Sequence, residues 1–89
     1  MVTLKTEKGT THRVNYILNS GKNPDGLVIS LEGDERKLSE IAADFEGCAE
    51  MRAVDDARPG VTELYDGYTE LDSAQRLDSG SVRLTLKKP

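Results

Sequence analysis

One cysteine, one histidine, no tryptophan and four aromatic side chains leave this 89-residue sequence short of the residues from which most chemistry is built. A lone Cys48 excludes an internal disulfide and fits synthesis in a reducing cytoplasm, where it reads as a small apolar residue, partly buried. His12 has no histidine or cysteine at ligand spacing, which excludes a structural zinc core. No apolar run approaches membrane length, and Met1-Val2-Thr3-Leu4-Lys5-Thr6 is too short and polar for a signal peptide. A soluble chain without an export signal is therefore expected, cytoplasmic in its host cell. With Phe45, Tyr16, Tyr65 and Tyr68 as the only aromatics, the core must come from Val, Leu, Ile and Ala. Stability on the order of 5 kcal/mol follows. The length suits a single domain, residues 1–89, because two halves would each fall near the size at which a core stops being sufficient.

Charge is present but divided. The net charge is −4. Residues 1–31 hold four bases against two acids, residues 32–78 hold fourteen acids against five bases, and residues 79–89 hold three bases and no acid. Basic ends and an acidic middle suggest terminal strands lying side by side with the acidic segments facing water. The alternative is a bipolar surface that orders copies head to tail.

Hydrophobic periodicity supplies the fold class. Val82, Leu84 and Leu86 alternate with Arg83, Thr85 and Lys87 behind a turn at Asp78-Ser79-Gly80, the mark of a half-buried strand. The preceding residues 67–77 have the length of its hairpin partner. At the start, Val2, Leu4 and Thr6 alternate, Glu7-Lys8-Gly9-Thr10 reads as a turn, and His12, Val14, Tyr16 and Leu18 share one face. Residues 1–18 thus read as a β-hairpin. Residues 19–26 are the most loop-like stretch. Leu27, Ile29 and Leu31 predict a third strand; Met51 and Ala53 a fourth; residues 61–65 a fifth, bent into the sixth at Gly67.

Between the third and fourth strands the period changes. Leu38, Ile41, Ala42 and Phe45 fall on one helical stripe, and Gly47 stands where a left-handed cap belongs. A helix over about residues 37–46 is too short to stand alone and must dock through Ile41 and Phe45. The expected architecture is α+β, mainly β. It is a largely antiparallel curled sheet, or a small open barrel, of about seven strands with one short helix.

The sequence offers no catalytic, cofactor-binding or metal-binding constellation. Asp34/Glu35, Asp44/Glu46 and Asp55/Asp56 lie in expected turns or on solvent faces, not across an apolar pocket where one carboxyl would rise in pKa. Asp55-Asp56 lacks the spacing of a calcium loop. Gly33 is followed by Asp34 and Glu35, which would repel a phosphate, and no serine sits in a nucleophile elbow. Glu63, Asp66, Glu70 and Asp72 around the tyrosines oppose a nucleic-acid backbone. No small-molecule substrate is evident. The one interaction feature is Tyr65-Asp66-Gly67-Tyr68, two aromatics flanking a bend. These rings suit a protein interface, and equally suit packing on the domain's own core.

Three segments carry a resemblance: Leu38-Ser39-Glu40-Ile41-Ala42-Ala43-Asp44-Phe45-Glu46-Gly47, Tyr65-Asp66-Gly67-Tyr68-Thr69-Glu70-Leu71 and Gly80-Ser81-Val82-Arg83-Leu84-Thr85-Leu86-Lys87. They are similar to a group of small uncharacterised proteins encoded in prophages of Gram-positive bacteria. Lys37 departs from the proline expected at the helix start. The resemblance implies a phage-derived protein of the particle-assembly or tail-module kind with no known activity. Together with the absence of catalytic chemistry it leads to the expectation of a non-enzymatic structural or assembly protein acting on protein partners, a second copy among the options, in the host cytoplasm or the phage particle. A small monomeric adaptor for one host or phage protein is the alternative, with single-stranded nucleic-acid binding a weaker third.

Overall fold

A computed structural model of the chain describes residues 2–19, 26–33, 35–58 and 60–89. Seven strands form one antiparallel sheet: β1 (Val2–Thr6), β2 (Thr11–Asn19), β3 (Gly26–Leu31), β4 (Glu50–Asp55), β5 (Thr62–Asp66), β6 (Glu70–Arg76) and β7 (Val82–Lys87). Their spatial order is β5-β4-β1-β2-β3-β7-β6, so β5 and β6 are the two edges. Helix α1 (Leu38–Phe45) joins β3 to β4 and packs on β6. The sheet is open, with β5 and β6 unpaired with one another. Alternating directions around seven strands leave β5 and β6 running the same way, and a parallel pair needs a crossover of about a dozen residues. Only residues 67–69 connect them. The two edges therefore follow one another as a single bent strand that starts on β4 and finishes on β7. Gly67 sits at the bend with φ +87°, a conformation that costs a side-chain-bearing residue strain.

Alternation places the core. Inward positions form rungs across the sheet: Ala53, Leu4 and His12; then Val2, Val14, Leu31 and Val82; then Ile17, Ile29, Leu84 and Ala74; then Leu27, Leu86 and Leu71. Ile41 and Phe45 enter this core from α1, both without exposed surface, so the expected stripe is the buried one. The helix carries no base in its last turn. Lys8, in the β1–β2 turn, donates instead to the Ala43 and Glu46 carbonyls, where the helix dipole favours a cation. Gly47 closes the helix at φ +74°, as its position suggested.

Three expectations are corrected. His12, Val14, Tyr16 and Leu18 do not share a face. The register against β3 shifts between Val14 and Tyr16, and the extra residue Asn15 turns Ile17 inward while Tyr16 and Leu18 emerge exposed. The terminal strands are not neighbours, since β2 and β3 lie between β1 and β7. The cause is pairing: β1 is taken by β2 and β4, and β7 by β3 and β6. Asp44 is not a solvent-facing carboxylate, because it turns from α1 toward His12 of β2 and Arg36 and is mostly covered. The expected loop falls mostly outside the described residues, at 20–25, as do Asp34 and Pro59.

Candidate interaction site

The inner face of the sheet is filled where Ile41 and Phe45 of α1 enter the core, and is left hollow over part of β5, β4, β1 and β2. Val2, Ile17, Ala53 and Tyr65 line a hollow of about 130 Å³, rimmed by Tyr16, Val61, Arg58, Asp55 and Glu63. Register explains the lining: Glu63 faces Ala53, Tyr65 faces Met51 and Val2 faces Asp55 across their ladders, all on the inner side. Beside the hollow runs β5, with the neighbouring Val61 exposed at the rim and Leu64 exposed on the outer face of the sheet.

Of the residues singled out beforehand, Tyr65 belongs to this surface. It is half-buried, and its hydroxyl donates to the Glu63 carboxylate at 2.7 Å. Burial pushes the Tyr65 phenol up to about 12, and the hydrogen bond to Glu63 and the nearby negative charge add to the rise. Asp66 ends β5 on the exposed side. Gly67 approaches the Lys88 side chain, 3.7 Å from where its Cβ would stand. Tyr68 lies in the link between the edge strands under the Lys88 ammonium, 5.0 Å from its ring centroid. Both tyrosines also pack against the domain's own core.

Charge at the rim is balanced locally. The Asp55 carboxyl is held below its ordinary value chiefly by the Ala57 N–H, which donates to it at 3.0 Å, with Arg58 lowering it further from 3.6 Å. On the far edge, Lys87 lies 3.8 Å from both Glu70 and Asp72. Bases thus enter the acidic tyrosine neighbourhood from β7, which linear distance concealed.

A second cluster went unread. His12, buried on β2, lies 3.1 Å from the Asp44 carboxylate and stacks on Phe45 with centroids 4.9 Å apart, while Arg36 approaches both partners. Thirty-two positions separate His12 from Asp44, and no spacing rule joins them. The only signal was a solitary histidine in phase with an apolar strand face. Cys48 is fully buried, deeper than expected, and its thiol donates to the Glu50 carbonyl. Among the described residues, no group of three or more His, Cys, Asp or Glu side chains converges as a metal site, and no helix is long and apolar enough to cross a membrane. Comparison with protein-family models, curated proteins and solved structures gives no match.

Proposed function

We propose that this chain is a non-enzymatic structural or assembly protein of phage origin, acting through protein–protein contacts in the host cytoplasm or the phage particle. The observation that carries the reading is the free edge of β5, with Val61 exposed at the rim of an apolar hollow on the inner face and Leu64 exposed on the outer face. A strand edge offers unpaired amides to a partner strand, and the flanking apolar residues add area to that contact. The opposite edge is blunted: β6 is irregular between Leu71 and Ser73 and is packed by α1. The His12–Asp44 pair has a structural use in this reading, since Phe45 and Arg36 pack and bond around it.

The test is light scattering across about a hundredfold range of concentration and at two salt levels, because mass action reveals a weak oligomer only on concentration. A defined oligomer supports the assembly reading. A monomer at every concentration overturns it in favour of the adaptor reading, in which the hollow takes one apolar side chain from a different protein. The hollow's size is the observation that favours that alternative.

A further inference from the structure

We infer that the partner for β5 is β5 of a second copy, paired antiparallel about a twofold axis at Leu64; this rests on the assembly reading above. The backbone sets the first condition. The Gly67 N–H donates to the Ala49 carbonyl and the Glu7 N–H to the Glu50 carbonyl. Alternation along the β4–β5 ladder then turns the amides of Glu63 and Tyr65 toward β4, and those of Thr62, Leu64 and Asp66 toward the free edge. Two antiparallel copies of β5 pair along their whole length in one register only, with Leu64 opposite Leu64. In that register the outward-facing groups meet as hydrogen-bonded pairs, forming on the order of six backbone bonds.

Side chains set the second condition. Leu64 meets the partner's Leu64 on the outer face. On the inner face Glu63 stands opposite the partner's Tyr65, a carboxylate facing a neutral ring whose single O–H is already given to its own Glu63. Thr62 stands opposite the partner's Asp66. No like charges oppose each other directly, although two of the five residues are acidic. A shift that placed Glu63 opposite Glu63 would set carboxylate against carboxylate, so the strand is complementary to itself in the register its backbone favours. The result is a continuous sheet through both copies, with the two hollows flanking the axis.

A five-residue strand pair buries little area, so the dimer is weak and appears on concentration. The experiment uses Leu64→Lys and Leu64→Glu, each on the exposed face of an edge strand, where neither change disturbs the core. Each variant alone places like charges opposite one another and should weaken dimerisation about tenfold or more. An equal mixture of the two places Lys opposite Glu and should restore dimers, read by sedimentation equilibrium. Circular dichroism checks that both variants fold. Oligomers of the parent that neither variant weakens would overturn the self-pairing and leave the assembly reading standing. Weakening without restoration in the mixture would overturn the Leu64-centred register. A parent that stays monomeric would overturn both.

Discussion

The Gly47 N–H donates to the Thr69 carbonyl at 2.9 Å, so the end of α1 is fastened to the link between the two edge strands. That bond, together with the bend at Gly67, carries the chain from one side of the open sheet to the other. The geometry at this link governs both edges.

Gly67→Ala should cost about 1–2 kcal/mol, the penalty for an L-residue held at positive φ. The added methyl would meet the Lys88 side chain at an ordinary contact distance, so the cost is conformational and not steric. Urea denaturation measures it, and an unchanged midpoint would remove the bend as a determinant of the fold.

Phe45 joins the helix to the core and stacks on His12. Phe45→Ala should lose about 3–5 kcal/mol, close to the whole stability of a domain this small. A cooperative thermal transition near that of the parent would contradict the placement of the helix.

Asp44 accepts from Arg36 and lies against the His12 ring nitrogen, with most of its side chain covered. Asp44→Ala should destabilise by about 1.5–3 kcal/mol, the range for hydrogen bonds to a charged group. Asp44→Asn, which keeps the shape, should cost less. Equal stabilities of parent and both variants by chemical denaturation would show that the cluster holds nothing in place.

The Tyr65 phenol has its pKa raised from 10.0 to about 12 in the folded chain, so folding favours its protonated form. That contribution is complete below pH 10 and is lost as the pH rises through about 12. Tyrosinate absorbance should show a late-ionising step that disappears in Tyr65→Phe and moves down in Glu63→Gln. A Glu63→Gln titration identical to the parent's would remove Glu63 as a contributor to the shift.

Strands and helix were legible because a half-buried strand must alternate and a docked helix must carry a stripe; the 82–87 segment and the Leu38, Ile41, Phe45 set are the clearest cases. Asn15 was not legible. An inserted residue leaves alternation intact on either side of it and reverses the face between them, which made Tyr16 and Leu18 look inward. Strand order was hidden too, since local turns do not reveal that β1 pairs with β4 from across the chain. The candidate site was read in part. Tyr65 stood out by its aromaticity, whereas Leu64, which faces outward on an edge strand, had no sign in the sequence. His12 with Asp44, and Lys88 with Tyr68, meet only through tertiary structure.

The central claim, that β5 is an edge which pairs with protein, is tested most directly by amide hydrogen exchange along residues 62–66. Glu63 and Tyr65 bond to β4 and should exchange slowly at any concentration. Thr62, Leu64 and Asp66 should exchange fast in dilute solution and slow down together when the protein is concentrated. Fast exchange at these three positions at every concentration would contradict pairing between copies, and slow exchange at them in dilute solution would show that the edge is already covered within one chain.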